Sequence, residues 1–342
     1  MSKPDILTLA AISGSSGAYG TIPTIPAAAV LYVRCPCGDA VEKLLWSIQC
    51  NKTHAYQLYL AERILVGELA TLTLASLANA ETIFIMGNVY TGATSTTTWS
   101  ARTISVAGDN TADALLLAKA ITGGRLVTLA SVEAGDWVKI TDSAGVVRTV
   151  TAHADTTTAA NREFKIDPAT DALDAAEFIT ACSTTGAIAG VTLTQGAATG
   201  EILINWTTPT GGTPPVVTSS NGTRLAVTTI GETYIYATAA LAVVTLKYRP
   251  AYVDVVEGNV PFVFQATTGT AAGHCAVSHT LLSSLYKDGA AVSSIADNST
   301  TAGSVYSQTI NGWAQAYIAV TNSDGANPAT MVIKANRLRY RS

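Results

Sequence analysis

The sequence predicts a mainly β protein with a mixed α+β middle, and three observations carry that prediction. Apolar runs of four to eight residues recur along the chain, separated by Gly, Asn, Asp and Pro, which is the pattern of short strands and turns. A segment is duplicated: Thr73-Leu74-Ala75-Ser76, then Glu81 and Thr82-Ile83-Phe84-Ile85, returns as Thr128-Leu129-Ala130-Ser131, then Asp136 and Trp137-Val138-Lys139-Ile140. Charged residues make up 13% of the 342, against about 25% in an average soluble protein. Thr, Ala, Ser and Gly fill the difference and give neutral, strand-compatible surfaces.

Taken in order, residues 1–29 read as an extended N-terminal arm, because Gly14-Ser15-Ser16-Gly17, Pro23 and Pro26 oppose regular structure. Such an arm is expected to be disordered or to lie across a neighbouring subunit. Residues 30–70 read as an N-terminal β module. Within it 43–49 and 55–60 flank a turn at Asn51-Lys52-Thr53 and suggest a hairpin. A helix over 40–48, capped by Asp39 with Glu42 at N3, competes with that reading. Strands are favoured, since the turn stops a helix after about three turns.

Residues 71–125 form repeat copy 1 and 126–206 copy 2, each expected to run strand, loop, strand, short helix. Helices are expected over Asp113 to Ile121 and from about Ala169 to Ala181, where Ala114, Leu117, Ala118 and Ile121 keep helical spacing. Aligning Asp113-Ala114-Leu115 with Asp171-Ala172-Leu173 gives an offset of 58, three more than the leading strands show. The stretch 191–204 either completes the sheet or begins a decayed third copy. Thr207 to Pro215, rich in Thr, Gly and Pro, marks a linker over 207–222. Beyond it, nine β runs predict a C-terminal sandwich or jelly roll over 223–342. A duplicated unit of this size is a structural module rather than a copied catalytic constellation.

Charge and hydropathy narrow the function classes. A net charge of −4 gives no strong attraction for nucleic acid or an anionic membrane. No apolar run reaches the roughly 18 residues of a membrane helix, and residues 1–29 lack the apolar core of a signal peptide. The Asn-x-Ser/Thr sequons at Asn51, Asn205, Asn221 and Asn298 are therefore expected to be chance matches, and the five cysteines to be reduced.

Candidate chemistry is sparse. Cys35, Cys37, Cys50 and His54 give C-x-C-x12-C-x3-H, a zinc-like set with a tighter first spacing than usual; inert thiols are the competing reading. His274-Cys275 with His279 could supply a nucleophile, although His274 and Cys275 fall on opposite faces of a strand. Asp136, Asp142, Asp167 and Asp171 lie in or near the repeat, where capping and turn roles compete with a carboxylate pair. No Walker loop, G-x-S-x-G, H-E-x-x-H or G-x-G-x-x-G occurs, so no enzyme activity, catalytic residue or cofactor is expected. Arg337, Arg339 and Arg341 alternate and share one strand face, either as a solvated edge strand or as a strip contacting an acidic partner.

The segment Thr149 to Ile166, containing Ala159-Ala160-Asn161-Arg162-Glu163-Phe164, followed by Asp171-Ala172-Leu173 and Gly190-Val191-Thr192, resembles a β module of bacteriophage virion structural proteins. Ile85 to Thr91 with Gly108 to Ala114 is similar to a degraded copy. Residues 43–60 resemble a β motif of phage head and tail attachments. The resemblance spans about residues 40–205 and implies a structural virion component of a tailed phage, capsid-associated as a decoration or head-fibre protein, assembled in the host cytoplasm without a signal peptide. It implies partnership with itself, a trimer being the expected symmetry, and with other virion proteins. A major capsid or tail-tube subunit is the first alternative, although no long spine helix is visible. A carbohydrate-binding host-recognition module using Trp206, Trp313 and Tyr317 is the second.

Overall fold

The computed structural model describes residues 5–13, 30–35, 43–60, 63–65, 68–85, 88–208, 213–232, 235–249, 252–254, 262–263, 266–279, 284–287, 290–292, 296–303, 305–311, 316–324, 327, 329 and 331–339. The fold is mainly β, as the strand pattern predicts. The chain opens with β1 (Asp5–Ser13), β2 (Val30–Cys35), β3 (Lys43–Cys50), β4 (His54–Leu60) and β5 (Arg63–Leu65). Next, β6 (Glu68–Leu74), β7 (Thr82–Ile85), β8 (Asn88–Ala93) and β9 (Thr103–Ser105) lead to α1 (Asn110–Thr122). The same series repeats as β10 (Gly124–Leu129), β11 (Trp137–Thr141), β12 (Val147–His153), β13 (Glu163–Lys165) and α2 (Asp171–Ala181). After a 3-10 turn come β14 (Val191–Gln195), β15 (Glu201–Trp206), β16 (Val217–Ser219) and β17 (Leu225–Ile230). Then come β18 (Ile235–Ala240), β19 (Val243–Tyr248), β20 (Tyr252–Asp254), β21 (Phe262–Val263), β22 (Ala266–Gly269) and β23 (Cys275–His279). The chain returns through β24 (Ser284–Lys287), β25 (Ala290–Val292), β26 (Ala296–Thr300), β27 (Val305–Asn311), β28 (Ala316–Asn322) and β29 (Met331–Arg339).

Strand order reveals two copies of one module, each larger than the sequence repeat. The first joins the sheets β18-β19-β6-β23 and β22-β7-β8-β9; the second joins β14-β15-β10-β17 and β16-β11-β12-β13. The orders match strand for strand. In both, a parallel pair (β8 with β9, β12 with β13) forms the only departure from antiparallel ladders among the described strands of these sheets. Each module closes over its own core. Ile83, Ile85, Leu117, Ile121 and Val244 fill the first. Val138, Ile140, Phe164, Phe178 and Ile202 fill the second. There Phe164 and Phe178 meet at 5.2 Å and 57°, a tilted contact worth about 1 kcal/mol beyond area burial.

The helices correspond at an offset of 61, one turn away from the 58 expected from sequence. Asp109 caps α1 by accepting from the Ala112 N–H, and Thr170 caps α2 by accepting from the Leu173 N–H; these caps stand 170 − 109 positions apart. A three-residue slip along a helix keeps much of the same face apolar, so periodicity alone cannot resolve it. The capping N–H bond does.

The second module is inserted inside the first. α1 ends at Gly123, the whole second module comes next, and the first resumes at Glu232, whose N–H donates to the Ile121 carbonyl at 2.9 Å. Entry and exit touch because the first and last inserted strands pair, with Gly124 opposite Ile230. Only glycine fits this crossing. Gly123 has φ 60°, and a Cβ there would lie 2.0 Å from the Ile230 carbonyl oxygen; Gly231 has φ 107° and would meet the Gly123 Cα at 2.6 Å. The first module closes the same way, with Ala70 of β6 opposite His279 of β23.

Outside it lie three sheets, β1-β29-β3-β27, β21-β2-β28-β4-β26 and β20-β5-β24-β25. Several expectations change here. β3 and β4 are strands, not a helix, but they do not form a hairpin: β3 pairs with β27 and β29, β4 with β26 and β28. The turn at 51–53 therefore passes the chain between sheets. The boundary expected at 207–222 does not separate domains, because β16 within it pairs with β11 and β17 beyond it pairs with β10. Likewise 223–342 is not a self-contained sandwich, since β18, β19, β22 and β23 complete the module begun at β6. β14 and β15 complete the second module and begin no third copy. From Asp5 to Ser13 the N-terminal arm is a strand on its own chain's β29; residues 1–4 and 14–29 lie outside the described residues.

Replacing Gly123 by Ala combines backbone strain with collision against main chain, and is expected to lower stability by about 3 kcal/mol or more. Gly145, with φ 82° and nothing within 4 Å of a Cβ, carries strain alone, so Gly145→Ala is expected to cost about 1 kcal/mol. Urea unfolding of the two variants tests the junction; equal losses would show that it is not a tight crossing.

Candidate functional site

Among the described residues, titratable side chains take part in the turns that begin each module, in the face between the modules and in the insertion junction. The turn preceding β7 or β11 ends in an acid, Glu81 or Asp136. Glu81 accepts from the Ala78 N–H at 2.8 Å and the Ala271 N–H at 2.7 Å, and lies 2.9 Å from His274 Nδ1. Asp136 accepts from the Glu133 N–H at 3.0 Å and from Arg224 Nε and Nη2 at 2.7 and 3.1 Å. His274 and Arg224 occupy equivalent positions, since their carbonyls accept from the Ala75 and Ala130 N–H groups, each at 2.9 Å. The Arg224 guanidinium holds the Asp136 carboxyl below its ordinary value. The Ala271 N–H does the same for Glu81, with His274 adding to it. Each acid thus ties the start of the second strand to the start of the last one.

Both copies also place Arg102 and Arg162 at φ 53° and 56°, with their carbonyls accepting from the Thr91 and Thr151 N–H groups. Thr97 and Thr157 hydroxyls accept from Ser105 and Lys165 N–H groups at 2.9 and 2.8 Å. The Ala-Asn-Arg-Glu-Phe segment of copy 2 therefore has its counterpart in Ser100-Ala101-Arg102-Thr103-Ile104, a correspondence hidden at the level of sequence because only Arg is identical.

Between the modules, the buried Glu201 carboxylate at the start of β15 accepts from the Trp99 N–H at 2.6 Å, the Ser100 N–H at 3.3 Å and the Ser100 hydroxyl. Lys119 of α1 donates to the Thr194 hydroxyl at 3.0 Å, and Leu126 and Leu203 reach back into the first module's core. At the junction, buried Tyr90 donates to Glu232, and Asn88 reaches the same carboxylate at 3.0 Å. Arg249 Nε donates to the Glu232 carbonyl at 2.7 Å, and its Nη2 to the Thr122 carbonyl. Thr122 bonds both main-chain groups of Ala237, at 2.8 and 2.9 Å. Burial raises the Glu232 and Tyr90 groups above their ordinary values. This cluster holds together the two chain segments that cross at the insertion.

The structure disperses the residues singled out from sequence. Cys50 and His54 are both buried at the turn between β3 and β4, with His54 Nδ1 3.0 Å from the Lys52 carbonyl oxygen. Cys35 ends β2, with its side chain outside the description, and Cys37 lies outside the described residues. Among the described residues no group of three or more His, Cys, Asp or Glu side chains is placed to hold a metal ion. Cys275 is buried and its thiol is pushed up to about 11, chiefly by burial, which opposes the thiolate a nucleophile needs; its neighbour His274 engages Glu81. Asp142 accepts from the Ala144 and Val146 N–H groups and from Arg148 within the β11–β12 turn. Asp167 accepts from Ala169 N–H, and Asp171 from Ser131 N–H. Arg337 and Arg339 lie on β29, opposite Leu7 and Asp5. β29 has β1 on one side and β3 on the other, so the solvated edge-strand reading is overturned; Arg341 lies outside the described residues. The Trp206 indole N–H donates to the Thr213 carbonyl at 2.8 Å, while Trp313 and the side chain of Tyr317 fall outside the description.

No helix among the described residues is long and apolar enough to cross a membrane. Comparison with family models, curated proteins and solved structures finds no match for this chain.

Glu201→Ala leaves the Trp99 and Ser100 N–H groups unpaired at a buried contact, so a loss of about 2–3 kcal/mol is expected in thermal or urea unfolding. Asp136 has a folded value below its ordinary 3.8, so its stabilisation is present above that pH and is lost as pH falls through the folded value. Asp136→Asn should therefore unfold more easily than wild type at neutral pH, with the difference closing in acid; a constant difference would refute the assignment. The opposite sign holds for Asp113, buried with its Oδ1 unpartnered and its carboxyl raised by burial and then by Asp109. Its contribution to stability should fall as pH rises from 3.8 through the folded value, and Asp113→Asn should make the slope shallower, leaving the share of Asp174 and Glu232, which burial also raises.

Proposed function

We propose that this chain is a structural component of a tailed-phage virion, associated with the capsid as a decoration or head-fibre protein, and that it acts by assembly. The observation that carries the reading is the nested pair of β modules of matching strand order, in which Glu81, Asp136, Glu201 and Glu232 are engaged in turns, in the contact between modules and at the insertion junction. A rigid, duplicated β body with few charges supplies surface for contacts between subunits. The resemblance of residues 149–166 and 43–60 to virion modules points the same way. The partners are further copies of the chain and neighbouring virion proteins.

The alternatives gain less support. A major capsid subunit of the usual tailed-phage kind needs a long spine helix, whereas the longest helix described has 13 residues. For glycan recognition, Trp206 has its indole N–H committed to Thr213 within its own module.

Mass spectrometry of purified particles, combined with sedimentation of the isolated chain, tests the reading. The expected result is incorporation into particles and self-association in solution. A stable monomer absent from particles would sink it.

A further inference from the structure

We infer that the outer edge of β1 is the self-association edge of this chain, and that its occupant is β1 of a second copy, antiparallel across a two-fold axis. The inference rests on the assembly reading above and names its contact. β1 is an outermost strand of the sheet β1-β29-β3-β27. Eight of its nine residues, all but Leu9, pair with β29 on one side, and among the described residues no strand pairs with the other. An outer edge of this length presents about four outward N–H groups and as many carbonyls, which another extended strand satisfies.

The usual protections against edge pairing are scarce in β1. It contains no Pro, Lys or Arg, and its one irregularity is a register shift between Thr8 and Ala10. The opposite edge, β27, is shorter and more polar, with Ser307, Gln308, Thr309 and Asn311 among its seven residues. Charge sets the direction in which a second copy of β1 fits. Asp5 is the sole charged residue of β1 and lies at one end. Antiparallel self-pairing sets the two Asp5 residues at opposite ends of the ladder, whereas parallel pairing would bring them together. A strand edge paired with itself in this way is an isologous contact. It joins two four-stranded sheets into one of eight and requires an even number of chains, in place of the trimer expected from sequence.

Adjacent residues of a strand direct their N–H groups to opposite edges, so Ala10→Pro and Ala11→Pro separate the outer edge from the inner. Sedimentation equilibrium of full-length chains should show even-numbered assembly for wild type. One of the two variants should weaken it by about ten-fold or more with an unchanged melting temperature, while the other lowers that temperature. Hydrogen exchange on wild type gives a second readout independent of any substitution: amides of residues 5–13 should slow on going from dilute to concentrated protein. An odd-numbered assembly, or exchange in β1 that ignores concentration while the chain associates, overturns the edge assignment and leaves the assembly reading standing. A wild-type chain that remains monomeric up to about 100 µM and is absent from particles overturns both.

Discussion

Each module depends on pairing between its first and last strands. β10 meets β17 and β6 meets β23 as antiparallel neighbours, which brings the two ends of each module together. A unit whose ends meet can be inserted in a loop of another without disturbing it. Here that insertion occurs at the C-terminal end of α1, through Gly123 and Gly231, where main chain passes so close to main chain that a side chain has no room. The polar cluster of Tyr90, Asn88, Glu232 and Arg249 is a consequence of this geometry. Arg249 donates to the Thr122 and Glu232 carbonyls of the two crossing segments, while Tyr90 and Asn88 satisfy the buried Glu232 carboxylate. In the second module, where no further insertion occurs, the position equivalent to Tyr90 is the apolar Val150.

Differences between the copies reflect what covers them. On the outer side of the β10 sheet, Leu126 and Leu203 are paired and reach the first module's core. The same two positions on the β6 sheet are Thr71 and Thr245, also paired and partly exposed. The docking loop shows the reverse change: Trp99 is buried against the second module, whereas its equivalent Ala159 is the small, partly exposed residue of the other loop. Where one module lies on the next, apolar side chains and the Glu201 carboxylate make the contact; where the pair ends, Thr and Ala face outward. Repeat proteins end in this way, with polar outer faces on terminal units. The pair is therefore closed to continuation by its own interface, and an assembling chain must use other surfaces, sheet edges among them.

Within each core the copies exchange partners while keeping volume. Phe164 and Phe178 stand where the first module has Ile104 and Leu117, and the first module regains bulk with Tyr90 and Trp99. Buried thiols take part as small apolar groups: Cys182 is pushed up to about 12 by burial, which keeps it protonated and inert. The acid that closes each opening turn changes its partner, His274 in one copy and Arg224 in the other, without changing its task.

By itself the sequence determined the mainly β class, a good part of the strands, the two helices and the existence of a duplication, because alternation, helical spacing and the Thr-Leu-Ala-Ser motif are local properties of the chain. It placed Thr82–Ile85, Trp137–Ile140 and Asp113–Ile121 within the observed elements. It did not fix the helix offset, since a one-turn slip preserves much of the periodicity and only the caps at Asp109 and Thr170 distinguish the alternatives. Nor could it show that Asp136 meets Arg224 or that Glu201 meets Trp99, pairs 88 and 102 residues apart. Above all, Thr207 to Pro215 reads as a linker between domains, yet β15 before it and β16 and β17 after it belong to one module, because the strands beyond it pair backward in two nested rounds. Composition marks where a chain can turn. Which strands meet beyond the turn is a matter of long-range pairing and burial, and those interactions exist only once the chain has folded.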